Sequence, residues 1–358
     1  MKGRILNILR TENGIVSGEA ISSTLGISRV SIWKHIHKLQ ESGYDIRSTP
    51  TGYQLTGSPD ALFPWEFPGK EKKIHYYPEV SSTMDIAREL ARKGSPHLTV
   101  VIAGSQTKGR GRLKRVWLSD KGGIFFTMIL RPQIPVVLSS RANFMASVVL
   151  VKTIREMFGI EAMVKWPNDI LVHGRKVSGM LSEMEAEADM VSFVNIGIGL
   201  NANNDPSDRE ADATSLKKIL KRDVSRKEIL TKYLDALERR IDSGDYDRVI
   251  PEWKNYTCTL NREVKIVTTS GIFFGLATDI DENGSLILKQ DNGTIKSVSF
   301  GDCFHKKSFC FVALHLSSLQ RTGKYASFLK VRAPCIMRFF TLPSEFGLIT
   351  KPSRKDSI

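Results

Sequence analysis

The chain has 358 residues, 41% of them hydrophobic and 25% charged, which suits two or three globular domains and excludes a disordered or fibrous chain. No apolar run approaches the ~18–20 residues of a membrane span, Met1-Lys2-Gly3-Arg4 opens an amphipathic pattern rather than a signal peptide, and Cys258, Cys303, Cys310 and Cys335 form no CxxC or zinc-spaced set, so a reduced, cytoplasmic protein with no membrane partner is expected. The net charge of +14 is not by itself a nucleic-acid signal: residues 309–358 hold eight Lys/Arg against two Asp/Glu, residues 1–58 only seven against four, so a DNA argument must rest on a motif.

Apolar positions Ile5, Leu6, Ile8 and Leu9 predict a short packed helix over residues 2–10. Ser17 is placed to cap a second helix over 18–25, which carries Ala20, Ile21 and Leu25 and stops at Gly26. Ser28 caps a third, whose Ile32, Ile36 and Leu39 share one face before Gly43. Helix, short glycine turn and capped helix follow helix-turn-helix grammar. Residues 44–48 and 52–55, joined by Thr49-Pro50-Thr51-Gly52, read as a wing hairpin. If the third helix enters a major groove, its N-terminal half supplies the base contacts. Arg29, Val30, Trp33, Lys34 and His37 lie off the buried stripe and are the candidates. The alternative is a small helical domain that binds a protein or nothing, and Trp33 suits packing as well as base contact.

Gly57-Ser58-Pro59-Asp60, with Pro64 and Pro68, marks a boundary. Strands are expected at 73–77, 99–103, 123–130, 162–166, 169–172, 176–184 and 191–201, and helices at 83–93, 139–158 and 225–242. This is a mixed α/β pattern long enough for a real core. Four segments within it carry chemistry. In Gly104–Trp117, glycines let the backbone approach a ligand while Arg110, Arg112 and Arg115 offer permanent charge for an anion; a surface basic loop without a ligand is the alternative. Lys165-Trp166-Pro167-Asn168-Asp169 packs a cation, an amide and a carboxylate beside a rigid Trp-Pro. It suits a ribose, a phosphate or Mg²⁺ near Asn168 and Asp169, or merely a polar turn. Lys176 opens a strand that is apolar at Val177, Met180 and Leu181, and there it pairs with an anion or ends in solvent. Gly197 and Gly199, in Asn195–Asn201, leave two side-chain-free positions on one strand face, which suits a flat ligand. The spacing is not a dinucleotide fingerprint.

Beyond residue 260, short strands are expected at Glu263–Thr268, Ile272–Ile280, Ser285–Gln290 and Thr294–Ser299, with turns at Asp281–Gly284 and Asp291–Gly293. The last ~50 residues are basic and mix Phe and Leu with Lys and Arg without a sustained period. They are expected to be non-catalytic and poorly ordered, the product of a frameshift or read-through or else an extra helix.

Taken in order, Ser81-Ser82-Thr83, Gln106, the Gly109–Trp117 loop, Lys165–Asp169, Arg175-Lys176 with Gly179, and Ile196–Asn201 resemble the biotin–protein ligase family. The likeness is to its bacterial two-function members, which also act as the biotin operon repressor. It covers roughly residues 1–307. It implies an α+β protein: a winged helix-turn-helix domain over 1–58, a linker over 59–71, a central mixed α/β catalytic domain like those of biotin and lipoate ligases over 72–257, an SH3-like β barrel over 258–307, and an atypical tail over 308–358.

The resemblance further implies that ATP, with Mg²⁺, activates biotin as biotinyl-5′-AMP, and that biotin passes to a lysine of a biotin carboxyl carrier domain. It assigns biotin binding to Ser82, Thr83, Gln106, Gly109, Arg110, Gly111, Arg112 and Lys176. The adenylate side falls to Arg115, Trp117, Lys165, Asn168, Asp169, Asn201 and Arg226, and catalytic charge to Lys176, Arg112 and Arg115. Operator DNA and a homodimer in the adenylate-bound state are the further partners implied. Lys114 stands where the family loop usually has glycine, which implies a stiffer loop with an added charge. Cys303-Phe304 departs from the usual end of the pattern. A lipoate ligase, or a biotin-sensing regulator without ligase activity, are the alternatives.

Overall fold

A computed structural model of the chain describes residues 1–306, which lie within one compact unit, Met1–Lys307. The readings of the Lys114 side chain and of residues 308–358 lie outside the described residues.

The N-terminal part folds as three helices, α1 (Lys2–Glu12), α2 (Gly18–Leu25) and α3 (Arg29–Glu41), followed by an antiparallel hairpin of β1 (Asp45–Thr49) and β2 (Gly52–Gly57). Ser17 and Ser28 accept hydrogen bonds from Ala20 N and Ser31 N, satisfying two amides that the helix cannot. Gly26 closes α2 in the left-handed region, φ 66°. Ile5, Leu6, Ile21, Ile32, Ile36, Leu39 and Ile46 are buried together, forming a core separate from the rest of the molecule.

Residues 59–71 are not a free strap. Leu62, Glu66 and Phe67 are buried, and Phe63 stacks on Trp65 with ring centroids 4.6 Å apart. Glu66 accepts from Arg10 of α1 and from the Tyr44 hydroxyl, and also pairs with Lys227 at 3.1 Å. Burial opposes the Glu66 carboxylate, but these donors and cations outweigh it and hold its pKa below the usual value.

The central part is a seven-stranded sheet. Its strands are β3 (Ile74–Val80), β4 (Thr99–Gln106), β5 (Ile124–Leu130), β6 (Ala162–Lys165), β7 (Asp169–Val172), β8 (Arg175–Glu187) and β9 (Met190–Leu200), in spatial order β3-β4-β5-β9-β8-β7-β6. Only β3 and β4 run parallel. On one face lies α4 (Thr83–Arg92), packed through Ala87 and Ala91 on Val101, Ile129 and Phe193. On the other lies α5 (Ser139–Phe158), covered in turn by α7 (Arg226–Asp242) and α8 (Val249–Lys254), while α6 (Leu216–Leu220) is tied to the residues just after β9 by Leu216 N donating to Asn201 O. A window within Val136–Phe158 is long and apolar enough to cross a membrane, contrary to the expectation that no such run exists. However, 72% of it is buried inside the protein, where it packs as a core helix.

The C-terminal part is a five-stranded antiparallel sheet of β10 (Arg262–Thr268), β11 (Gly271–Ile280), β12 (Leu286–Lys289), β13 (Ile295–Val298) and β14 (Asp302–His305), ordered β13-β12-β11-β10-β14. Its inner face, with Val264, Ile266, Ala277 and Leu288, joins the core of the central part. Three elements have no counterpart in the sequence reading: α6 and α8, too short for a periodicity signal, and β14, whose pairing with β10 lies about forty residues away in the chain.

Candidate functional site

A cleft of about 110 Å³ opens on the α4 face of the central sheet. Its floor is made by strand positions without side chains. A Cβ on Gly197 would meet Met84 Sδ at 2.6 Å, one on Gly179 would meet Trp117 Cζ3 at 2.8 Å, and one on Gly199 would collide with the Trp117 indole. These glycines let an aromatic ring lie directly on β8 and β9.

At one end, Ser82 caps α4, and Thr83 opens it. Thr127 Oγ1 donates to Thr83 Oγ1 at 2.8 Å, and Thr83 N donates to Gln106 Oε1 at 2.8 Å. Gln106 Nε2 donates to Ser119 Oγ at 2.8 Å, and that hydroxyl donates on to Trp117 O at 3.0 Å. The chain of bonds fixes which way the Gln106 amide points, since each end has a dedicated partner.

The other end is cationic. Lys176 Nζ lies 3.0 Å from Asp169 Oδ1 and 5.0 Å from the Trp117 ring centroid. Arg112 Nη1 donates to Asn168 Oδ1 at 3.1 Å. Burial lowers the pKa of Arg112, with Asp302 and Asp169 opposing the shift; a guanidinium remains charged under such a change. Arg115 pairs with Asp302 of β14. Arg110 donates to Asp85 Oδ1 at 2.9 Å and also reaches Glu183, tying the loop to α4 and β8. The Trp117 Nε1 donor is buried with no hydrogen-bond partner among the described residues. Such a group is costly to leave unmade and suits a ligand acceptor.

Ser82, Thr83, Gln106, Arg110, Gly111, Arg112, Arg115, Trp117, Asn168, Asp169 and Lys176 are thus brought together around one cleft. Four expected residues are not. Gly109 supports the loop from behind, where a Cβ would strike Ser119 Oγ at 2.5 Å. Lys165 points away, its Nζ 6.0 Å from the Phe304 ring. Asn201 is buried and accepts from Asn204 Nδ2 at 3.0 Å. Arg226 is buried and donates to Asp60 Oδ2 and to Gly123 O, each at 2.7 Å, so its charge is spent on holding the segment after the winged helix. Asp302 and Glu210 line the cleft without having been expected there. Nothing local in the sequence marks either.

Asn168 and Asp169, expected near a magnesium ion, both have side-chain partners in this structure. The Asn168 amide is engaged at both ends, by Arg112 and by Met180 O, and Asp169 is paired with Lys176. Among the described residues no three His, Cys, Asp or Glu side chains converge on a metal position.

The third helix of the N-terminal part buries Ile32, Ile36 and Leu39 and leaves Arg29, Val30, Trp33, Lys34 and His37 exposed. Trp33 is 55% exposed and lies 5.7 Å from the His37 ring, centroid to centroid, so it packs on its own helix rather than in the core.

The chain is similar to known proteins. Residues 76–201 match the biotin/lipoate A/B protein ligase family, residues 259–306 the biotin protein ligase C terminal domain, and residues 3–54 an HTH domain. The bifunctional ligase/repressor BirA of Bacillus subtilis is 36% identical over 302 residues, which are 80% of this chain and 93% of that protein. The Escherichia coli protein of the same description is 27% identical over 293 residues, 78% of this chain and 89% of that one. Among solved structures, the biotin protein ligase from Aquifex aeolicus in complex with biotin and ATP superposes with a TM-score of 0.55 at 28% identity, covering 66% of this chain and 99% of that one.

Proposed function

The chain belongs to the bacterial biotin–protein ligase family, in the branch that carries an N-terminal HTH domain, and we propose from that premise how its own residues carry out the reaction. The protein is an ATP-dependent biotin–[acetyl-CoA-carboxylase] ligase with a ligase/repressor architecture. It joins biotin and ATP into biotinyl-5′-AMP and transfers the biotin to a lysine of a biotin carrier domain.

A biotin carboxylate oxygen attacks the α-phosphorus and pyrophosphate leaves. Two anions must meet, so the work is alignment and neutralisation. Lys176, freed from Asp169, holds the carboxylate; Arg112 and Arg115 face the phosphates; Ser82, Thr83 and Gln106 hold the ureido end. The Trp117 ring, whose inner face lies on Gly179 and Gly199, packs the adenylate with its outer face. The observation that carries this assignment is the convergence of Lys176, Arg112 and Arg115 on a glycine-floored cleft whose other end is a fixed hydroxyl–amide chain. At about 110 Å³ the cleft is smaller than the ~300–1,000 Å³ of ordinary ligand pockets, so the Gly109–Trp117 loop moves when the ligand enters and then shields the reactive anhydride from water. Cytoplasmic residence accords with the free thiols of Cys258 and Cys303.

Two further features support the repressor reading. The exposed face of α3 presents Arg29, Val30, Trp33, Lys34 and His37 to operator DNA. Among the described residues, β8 past Met180 pairs only with β9, and its other edge, with the exposed Met184, Met190 and Val137 nearby, carries no strand. A second copy adding to that edge gives the two-fold dimer that a palindromic operator requires.

The test is biotin-dependent ATP–pyrophosphate exchange followed by transfer to a purified carrier domain. In Lys176→Ala the exchange should fall about 100-fold or more, the scale of losing one preorganised charge at a developing anion. Unchanged exchange would remove Lys176 from the mechanism. Wild-type biotin binding without exchange would leave a sensor in place of a ligase.

A further inference from the structure

On the face of the central sheet away from the cleft, a second cavity of about 390 Å³ opens between α5, α7 and α8. Its size falls in the ~300–1,000 Å³ range of small-molecule sites, and the adenylation chemistry makes no use of it. The floor is apolar. Met145, Val148 and Val149 are three and four residues apart on α5 and share one face. Across from them α7 offers only the methyl group of Ala236, and that small side chain keeps the two helices from closing the space. The three floor residues are 2%, 3% and 7% exposed, so the opening above them is a narrow slot. From Met145 to Glu156 the slot follows α5 for ~16 Å along the helix axis.

The rim is charged and unbalanced. Lys152, Lys232, Arg239 and Arg240 line it, against the carboxylates of Glu156 and Glu252. Glu156 of α5 pairs with Lys232 of α7 at 3.2 Å. Glu252 of α8 is shared by Lys152 and Arg240, each at 3.1 Å, and Arg240 also lies 3.5 Å from Asp245 outside the slot. Arg239 pairs with no carboxylate among the described residues. Arg240 Nη2 is buried and makes no hydrogen bond among them, because Glu252 neutralises its charge without lying along its N–H directions. One end of the slot thus holds an uncompensated guanidinium and an unused guanidinium donor. Adjacent guanidinium groups of this kind suit a carboxylate, which accepts from both.

We infer that this slot is a binding site for a medium-chain aliphatic carboxylate. The unbranched tail lies along Met145, Val148 and Val149, and the carboxylate meets Arg239 and Arg240. A narrow apolar floor admits one flexible chain and rejects a ring or a paired acyl tail, and the positive rim selects the anion. Such a ligand touches three helices at once and stabilises the folded chain in proportion to its occupancy. The site is independent of the ligase reading, since none of its residues lines the catalytic cleft.

The experiment titrates the full-length chain with decanoate below its micellar concentration, by calorimetry and by thermal unfolding. Decyltrimethylammonium, the same tail with the opposite charge, is the control. Decanoate should bind saturably at one site per chain and raise the unfolding midpoint, and the cation should do neither. Arg239→Glu should weaken decanoate binding about tenfold or more, the effect of reversing a charge beside the ligand. Ala236→Leu, which fills the slot, should weaken it comparably. Both variants should keep wild-type biotin-dependent ATP–pyrophosphate exchange, which shows that they fold. Absence of saturable binding would overturn the proposal. Equal binding of the two amphiphiles would reduce the slot to a non-specific apolar surface, and wild-type affinity in both variants would place the ligand elsewhere; either result overturns it too. So would variants that alter self-association in sedimentation while binding decanoate normally, which would make the groove a contact between copies.

Discussion

Single positions decide this site through what they omit as much as through what they present. Gly199 has no side chain because the Trp117 ring lies directly on the strand there, and Gly179 does the same one strand away. Adding one methyl group at Gly199 forces the ring off the floor, and overpacking of that kind costs about 1–3 kcal/mol. Gly199→Ala should therefore raise the KM for ATP at least tenfold in the exchange assay, while Gln106 and its hydroxyl partners still hold biotin. A variant with unchanged ATP dependence would show that the indole does not pack the adenylate. Lys176 and Arg112 illustrate the converse case. Each already has a counter-group, Asp169 or Asn168, at hydrogen-bonding distance. The cations are thus pre-aimed and need only exchange partners when an anion arrives, which keeps reorganisation small.

At the scale of elements, α3 and β14 each join one part of the chain to a function elsewhere. Helix α3 uses one stripe for its core and leaves the opposite side free. Lys34→Ala should weaken operator binding and flatten its salt dependence by about one counterion, with biotin transfer unaffected; gel-shift titrations at several salt concentrations measure this. Strand β14 reaches the cleft with Asp302 and the domain junction with His305, whose Nε2 lies 3.3 Å from Thr259 Oγ1. Burial pushes the His305 pKa down to about 4, helped by Lys165 and Arg262. The folded protein then holds a neutral imidazole, while the unfolded chain takes up a proton near pH 6.5. Because the unfolded state binds more protons in that window, stability falls as pH drops from about 6.5 to about 4. The urea midpoint should decline over that range, and His305→Gln should make the decline shallower. Equal slopes in the two proteins would assign the effect to other groups.

At the scale of the whole molecule, the winged helix is joined to the catalytic part by buried charge. Glu66 takes Arg10 and Tyr44 from the N-terminal core and Lys227 from α7, and the adjacent Arg226 takes Asp60 and the Gly123 carbonyl. Removing one partner from a buried pair costs about 3–5 kcal/mol, because the others are left without compensation. The exposed portions of Arg10 and Lys227 put the expected loss for Glu66→Gln toward the lower figure. The variant should unfold at lower temperature and bind operator more weakly, yet keep pyrophosphate exchange. Loss of exchange together with DNA binding would show that the junction also shapes the cleft.

Much of this was legible from residues alone, and the reason is local. A serine three residues before an amide it can cap, apolar positions three and four apart, and glycines alternating in a strand are constraints between near neighbours. They gave the three N-terminal helices, the wing, most sheet strands and the polar segments of the cleft. The order of those segments was enough to indicate the family. What required tertiary structure was every question of which side faces what across a long separation. Lys165 belongs to the same short motif as Asn168 and Asp169, yet strand pairing turns it toward Phe304. Arg226 is cationic and sits at a helix start, yet it is consumed by Asp60, 166 residues away. Asp302 enters the cleft only because β14 pairs with β10 and lies against the arginine loop. Sequence by itself determined the elements and the chemical classes they carry. Sheet order and register, set by burial of one common core, decided which of those groups share a cleft and which hold the domains together.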